Sequence, residues 1–420
     1  MRTTQSAEVI VVGGGIVGLA MALLTSRAGI ETVLLEKKPQ QQYKAAADYR
    51  LRVSAISPAS EYLFAYLGVW DRICAVRVSS YKAMRVWDAA GSALLHFDAA
   101  DIQQARLGHI IENDLIQSVL LDAARNESCF HLVSPVEIQT INTGTRKVTV
   151  NMNGQADITA RLLVGADGAQ SLVRQSQDIE VDGWHYHQRA LVCSVTTEKH
   201  HRYTAWQRFM PGGPVAFLPL ENGACSIVWS VPDAEAQRLC KLDEQAFCSE
   251  LTRASDACLG NVTGCGRRAV FPLRYQHAHS YVRERLALIG DAAHVVHPLA
   301  GQGVNMGLLD VVELGGLALD AVKHGRDPGA IKRLRRYERA RRSENTVMGL
   351  AFDALNRLFG SEFKAVATAR NLGLHAVDRS GWLKRFFMLR ATGIDHALGM
   401  QYRRGNGSLL SPPEFNQSGV

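Results

Sequence analysis

Residues 7–37, AEVIVVGGGIVGLAMALLTSRAGIETVLLEK, constrain the fold of this chain more than any other stretch. Apolar β-branched residues fill Val9 to Val12, a helical pattern runs from Ile16 to Ala28, and Gly29 stops it before a second apolar run. Gly13, Gly15 and Gly18 satisfy G-x-G-x-x-G between the first strand and the helix. In such a turn one glycine bends the chain, one admits a pyrophosphate to the backbone, and one lets helix pack on strand. The helix start then offers unpaired N–H groups to phosphates. Glu36 ends the second strand, where a carboxylate takes a ribose diol. An acid there favours FAD or NAD over NADP.

Bulk properties narrow the partners. The chain has 420 residues, 47% hydrophobic and 21% charged, enough for two or three domains with a substantial core. Glycines interrupt its longest apolar runs before a membrane span is reached, and the first run follows Glu8 rather than a basic segment. A cytoplasmic protein is expected, with peripheral contact at the inner face of a membrane as the alternative. The eight cysteines include no C-x-x-C pair, so no metal site is expected. A net charge of +7 suits an anionic cofactor, a membrane surface or an acidic partner, and no nucleic-acid-binding module accompanies it.

Two later stretches repeat the device of a strand ending in an acid. RLLVGADGAQSLVR (161–174) delivers Asp167-Gly168, followed by Ser171 and Arg174; a plain β-turn is the competing reading. RLALIGDAAHVVHPLAGQGVNMGLLDVVELGGLAL (285–319) delivers Gly290-Asp291, a loop, and a long helix from about Gly303. Acids at strand ends point acceptors into the crevice above a sheet, where ribityl or ribose hydroxyls are natural donors. No second G-x-G-x-x-G follows a strand and opens a helix, so a nicotinamide would visit rather than reside.

These three elements, in this order and at these distances, resemble the class A flavoprotein monooxygenases of the p-hydroxybenzoate hydroxylase fold over nearly the whole chain. HPLAGQGVNMGLLD (297–310) is similar at every position to the signature of the ubiquinone-biosynthesis hydroxylases. LRVSAISPASEYLFAYLGVWD, LGHIIEN, FLPL, CSIVWS and LRRYERAR resemble that family too; LGHIIEN and CSIVWS point to its 2-polyprenylphenol hydroxylase (VisC-type) branch. The resemblance implies an α/β fold: a discontinuous Rossmann-like FAD-binding domain, an inserted β-sheet substrate domain and a C-terminal helical region. The corresponding boundaries are 1–78, 98–180 and 274–345 for FAD, 79–97 and 181–273 for substrate, and 346–420 for the helices.

The resemblance also implies residue roles. Gly13, Gly15 and Gly18 would bind the FAD pyrophosphate, Glu36 the adenosine ribose, Arg52 the phosphates and Asp291 the ribityl chain. Asp167 would serve both FAD and the visiting NAD(P)H. Glu112 matches a ribityl-contacting position that is often Arg or Gln elsewhere in the class. Gly301 and Gly303 would bring N–H groups to the flavin's pyrimidine edge, with Gln302 and Asn305 adding polar contacts. His297 and Pro298 stand where related hydroxylases carry proline beside the flavin ring, and His294 is expected to make a structural hydrogen bond.

The implied reaction adds one oxygen atom from O2 to a polyprenylated phenol in ubiquinone biosynthesis, through NAD(P)H-reduced FAD and a C4a-hydroperoxyflavin. The cofactor carries such chemistry, which accounts for the lack of a nucleophile–base constellation. His185, Tyr186 and His187 are candidates for a base, against a strand start with satisfied polar groups. IKRLRRYERARR reads as a solvated helix face with Leu334, Tyr337 and Ala340 buried. GWLKRFFMLRATGIDHALGM (381–400) is amphipathic and basic; core packing is the expectation, and a membrane surface or tunnel mouth the alternative. A long-tailed substrate implies membrane contact or a biosynthetic complex. Rival readings are a class A hydroxylase for another aromatic and a non-catalytic FAD-containing scaffold. A halogenase wants Trp-x-Trp-x-Ile-Pro, which GWHYHQ does not supply.

Overall fold

The computed structural model describes residues 5–39, 42–44, 49–89, 91, 94–297, 303–360 and 364–393. The opening stretch forms β1 (Val9–Val12), α1 (Ile16–Arg27) and β2 (Thr32–Leu35), with both strands fully buried. α2 (Asn113–Arg125) leads to β3 (Phe130–Val133), and β4 (Leu162–Gly165) follows. The chain then crosses a second sheet through β5 (Val181–Thr197) and β6 (Ala269–Ala278) and returns as β7 (Leu286–Leu288). β7, β4, β1, β2 and β3 lie side by side and parallel, with Val282–Arg283 antiparallel at the edge. Burial on both faces is why these strands read as unbroken apolar runs.

Parallel pairing sets where the loops emerge. Gly165 is level with Val12 and Leu288, so the turns after β1, β4 and β7 open at one edge. This is the crevice at the carboxyl ends of the strands. α3 (Gly303–Lys323) packs along α1. The fit depends on Gly307, where a Cβ would meet Val17 Cγ2 at 2.7 Å, and on Gly315, where one would meet Leu24 Cδ2 at 2.3 Å.

The second sheet runs in the order His294–Val295, β6, β5, Cys225–Pro232, Val215–Pro219, Thr204–Phe209, Ala83–Asp88 and Leu94–Asp98. Val262–Cys265 also pairs with β5. The sheet passes the expected boundary at 273: β6 continues to Ala278, and His294 pairs with His277, which brings the sheet to the Gly290-Asp291 turn. Two helices, Asp233–Lys241 and Glu244–Ala254, interrupt the run of strands. Asp243 starts the second by accepting from the Ala246 amide at 2.8 Å.

The long α4 (Ile331–Gly360) runs unbroken through the boundary drawn at 345. Gly349 inside it is a packing glycine, since a Cβ would lie 2.8 Å from Tyr275 Cε2. Leu334 and Tyr337 are buried as the periodicity predicts. α5 (Lys364–Arg379) and α6 (Gly381–Thr392) complete the described chain. Buried Arg370 on α5 ties these helices to the large sheet through Asp88 at 2.6 Å. Core packing was the expectation for the aromatics of α6, and the structure corrects it: Trp382, Phe386 and Phe387 are 75%, 55% and 47% exposed. Only Met388 and, in part, Leu389 turn inward. Residues 394–400 lie outside the described residues. Among the described residues, no helix is long and apolar enough to cross a membrane.

Candidate active site

The three glycines of the first loop do three different things. Gly13 has φ +108°, and a Cβ there would fall 2.4 Å from the Ala166 carbonyl oxygen, at the end of the neighbouring β4. Gly18 meets the Gly13 carbonyl oxygen in the same way, at 2.0 Å, so it is what seats α1 on the loop. Chain neighbours apart, no described residue lies within 4 Å of a Cβ built on Gly15. That position faces open space at the α1 N-terminus, as a pyrophosphate site requires. Glu36 reaches back to the same loop, accepting from the Gly14 amide at 2.6 Å and the Lys38 amide at 2.8 Å. Gln117 on α2 holds the Gly14 carbonyl at 2.7 Å.

The Asp-Gly motif is a small self-supporting unit. Ser171 Oγ donates to Asp167 Oδ1 at 2.5 Å, and the Val173 amide donates to Oδ2 at 3.1 Å. Ser171 in turn accepts from the Arg174 amide at 2.9 Å. The buried Arg174 guanidinium then bridges the Ala169 carbonyl (3.1 Å) and the Ala292 carbonyl (2.9 Å), linking the turn after β4 to the one after β7. Burial pushes the Asp167 carboxyl above its ordinary pKa, against the pull of Ser171 and the backbone amides. A simple β-turn would not need this arginine.

Asp291 stands at the mouth of the β7 turn. Asp291 is exposed, with protein packed densely around its carboxyl. Burial raises its pKa, opposed by the positive charges of His294, Arg52 and Arg274. Arg52 is exposed, with its guanidinium 5.7 Å from the Phe271 ring centre. Half-buried Arg274 has no apolar periodicity or motif to announce it, and sequence reading missed it.

Glu112 and Asn305 are turned into the protein. Glu112 accepts from Tyr43 Oη (2.9 Å), the Arg50 amide (2.7 Å) and Arg77 Nη2 (2.7 Å), and is 1% exposed. Asn305 accepts from the Ser57 amide (3.0 Å) and Ser60 Oγ (2.8 Å) and donates to the Ala55 carbonyl (2.7 Å). Glu112 thus holds the backbone at Arg50 and Asn305 holds it at Ala55 and Ser57, on either side of Arg52. A Cβ on Gly303, the first residue of α3, would again meet nothing within 4 Å among the described residues beyond its chain neighbours. Pro298, Gly301 and Gln302 lie outside the described residues.

The last residue of the 297–310 motif is the hub that sequence reading passed over. Asp310 is fully buried and takes four hydrogen bonds: from the Gly290 amide (3.0 Å), His294 Nε2 (2.6 Å), Arg341 Nε (2.8 Å) and Asn345 Nδ2 (3.2 Å). His294 thus makes the expected structural bond. Burial alone would raise the Asp310 carboxyl, but the positive charges of His294 and Arg341 hold it at about 2. A lone acid at an inward-facing position of an apolar helix was the available signal. Its partners on α4 were hidden inside an apparently solvated basic run.

His297 is 1% exposed, and neither ring nitrogen has a hydrogen-bond partner among the described residues. Burial lowers its pKa to about 4, with Asp353 pulling the other way, so the ring is neutral. Tyr186 packs edge-on against it, ring centres 5.1 Å apart. His185 and His187 flank Tyr186 inside β5, not at its start, and are exposed.

The crevice fits FAD on these grounds: two glycine positions open to ligand, an α-helix N-terminus, acids at the ends of β2, β4 and β7, and arginines beside Asp291. Among the described residues no three His, Cys, Asp or Glu side chains converge as a metal site. The profile described as FAD binding domain matches residues 6–348. The crystal structure of p-nitrophenol 4-monooxygenase PnpA from Pseudomonas putida DLL-E4 superposes with a TM-score of 0.74 at 20% identity, covering 92% of this chain and 99% of that one. Fold and crevice thus define an FAD-dependent monooxygenase of the p-hydroxybenzoate hydroxylase type. The 3-demethoxyubiquinol 3-hydroxylase of Escherichia coli K12 is 36% identical over 93% of this chain and 100% of its own length. The ubiquinone hydroxylase UbiL of Rhodospirillum rubrum is 37% identical over 92% and 90%. The chain belongs to the ubiquinone-biosynthesis hydroxylase family.

Proposed function

We propose that the chain hydroxylates the ring of a polyprenylated phenol, with NAD(P)H as a transient reductant and O2 as co-substrate, in the manner of the 2-polyprenylphenol branch. When bound, FAD supplies the reducing equivalents and the oxygen-activating centre. The protein's part is to bind, orient and keep water out. Gly13, Gly15, Gly18 and Glu36 hold the adenosine end; Asp291, Arg52 and Asp167 hold the middle; His297 faces the ring. Glu112 and Asn305 act from behind, by fixing the backbone on either side of Arg52. The large sheet covers the crevice as the substrate domain.

The observation that carries this reading is His297. A buried imidazole whose two nitrogens find no partner among the described residues is costly, about 1–3 kcal/mol per unsatisfied group, unless a ligand supplies one. A neutral ring accepts a hydrogen bond from a phenolic hydroxyl and so orients the ring to be attacked. His297→Ala is expected to consume NAD(P)H without matching product, lowering product per reductant about tenfold or more. Wild-type coupling in that variant would remove His297 from the site. A scaffold is separated from an enzyme by a simpler measurement: purified, FAD-loaded protein should oxidise NAD(P)H faster when a phenol is added.

A long-tailed phenol also needs a lipid-facing surface. α4 exposes Val347, Leu350, Leu355 and Leu358, and α6 exposes Trp382, Phe386 and Phe387 with basic Arg385 and Arg390 beside them. An apolar face flanked by arginines suits peripheral contact with an anionic membrane or a lipid-presenting complex. Changing Trp382, Phe386 and Phe387 to serine should weaken sedimentation with phosphatidylglycerol vesicles about tenfold per aromatic lost, on the scale of burying one such side chain. Equal sedimentation of both proteins counts against the membrane surface.

A further inference from the structure

His297 is not held by hydrogen bonds of its own among the described residues, so something else must fix its plane. What touches it is Tyr186, edge-on at 81° with ring centres 5.1 Å apart. Tyr186 is itself tethered. Its hydroxyl donates to Asp353 Oδ1 at 3.0 Å, and Asp353 Oδ2 pairs with Arg357 Nε at 2.7 Å. The Arg357 guanidinium lies 5.1 Å from the Trp184 ring centre, and Trp184 meets Tyr186 at 6.3 Å and 83°. The contacts close a ring that fastens β5 to α4.

The local backbone is bent to make this contact. The pairing of β5 with β6 shifts register between His185 and Arg189, and His187 sits at φ +54°, a left-handed conformation that residues other than glycine disfavour. Strained residues in the left-handed region persist where the surroundings over-determine them, and they cluster at functional sites. Here the irregularity presents Tyr186 to His297. Burial first, and then the Asp353 charge, raise the Tyr186 pKa, which keeps the hydroxyl protonated and makes it a tether, not a base.

We propose that Tyr186 and Asp353 are positioning residues for His297: through the Tyr186 ring they set the imidazole plane in which one nitrogen meets the substrate's phenolic hydroxyl. This rests on the reading of the chain as a phenol hydroxylase. Neither residue touches substrate; both act through His297.

A double-mutant cycle tests it on the FAD-loaded full chain, with 2-dimethylallylphenol as probe. Tyr186→Phe keeps the ring and removes the tether, and Asp353→Asn removes the charge at nearly constant shape. Each is expected to lower hydroxylated product per NAD(P)H oxidised about three- to tenfold, with Asp353→Glu restoring part of the loss. In the His297→Ala background Tyr186→Phe should cost nothing further, because its effect passes through the missing ring. A thermal midpoint for each variant separates this from loosened packing, which lowers the midpoint together with the product ratio. Equal losses from Tyr186→Phe in both backgrounds would overturn the proposal, as would wild-type coupling in both Tyr186→Phe and Asp353→Asn. If His297→Ala alone couples normally, the assignment of His297 to the phenol falls, and the positioning role falls with it. Uncoupled His297→Ala beside fully coupled Tyr186→Phe and Asp353→Asn removes only the positioning role.

Discussion

Gly15→Ala is expected to give a protein that folds normally and fails to hold FAD. Gly15 has φ −75°, which alanine adopts freely, and among the described residues only its chain neighbours stand within 4 Å of the new methyl group. On the proposed placement of FAD, the methyl is expected to meet the cofactor's pyrophosphate. The purified variant should be colourless, bind FAD about a hundredfold or more weakly, and unfold close to the wild-type apoprotein, since surface changes of this kind stay within about 0.5 kcal/mol. Gly18→Ala is the contrast. Its methyl would lie 2.0 Å from the Gly13 carbonyl oxygen, a backbone atom that cannot rotate aside. The apoprotein itself should lose about 3 kcal/mol, the upper part of the range for overpacking. A denaturant titration of both apoproteins, beside their FAD titrations, checks the pair. Equal destabilisation would mean that Gly15 is a packing glycine, and FAD retained by Gly15→Ala would move the pyrophosphate elsewhere.

Removing the Asp310 charge should be the most damaging single change outside the glycine loop. Asp310→Asn leaves Arg341 95% or more enclosed with only Glu344 as a charged partner at 2.5 Å, and weakens the bond to His294. Breaking one side of a buried ion pair costs about 3–5 kcal/mol. The Gly290 amide loses its anionic acceptor as well, so FAD retention should fall together with stability, because Gly290 positions Asp291. The pH dependence has a definite sign. The folded-state carboxyl is held at about 2, below its ordinary value, so its contribution is complete above the unfolded-state pKa and is lost as pH falls toward 2. Wild-type protein should therefore lose stability relative to Asp310→Asn between about pH 4 and pH 2, read from denaturant midpoints at each pH. A difference that stays constant across that window contradicts the assigned network.

The FAD half of the fold was legible because its signals are local. A buried parallel strand, a tight glycine turn and a helix leave an unmistakable run of residues, and the acids at strand ends mark the crevice in order. The large sheet was legible strand by strand but not in its reach, since β6 and His294–Val295 are joined by pairing across seventeen residues of separation. Nothing local announces the Arg341–Asp310 bond, which spans thirty-one positions and hides in a run of exposed arginines. Glu112 and Asn305 carry family roles at the ligand, and no local pattern announces their long-range bonds to the Arg50 amide and to Ala55, Ser57 and Ser60. Tyr186 was weighed as a possible base only because it stands between histidines; its tether to Asp353 is a contact of 167 positions that no periodicity encodes.

The unbroken α4 has a mechanical consequence. Thirty residues of α-helix span on the order of 45 Å. Its first turns grip the floor of the crevice through Tyr337, which donates to the Leu288 carbonyl at 2.7 Å, and through Arg341. Its later turns carry Asp353 and the outward apolar side chains. The helix is a single strut that joins the floor of the crevice to the Tyr186–His297 contact. Neither part can be shimmed alone: a proline midway, at Val347 for instance, is expected to loosen the crevice floor and the Asp353 tether in one stroke.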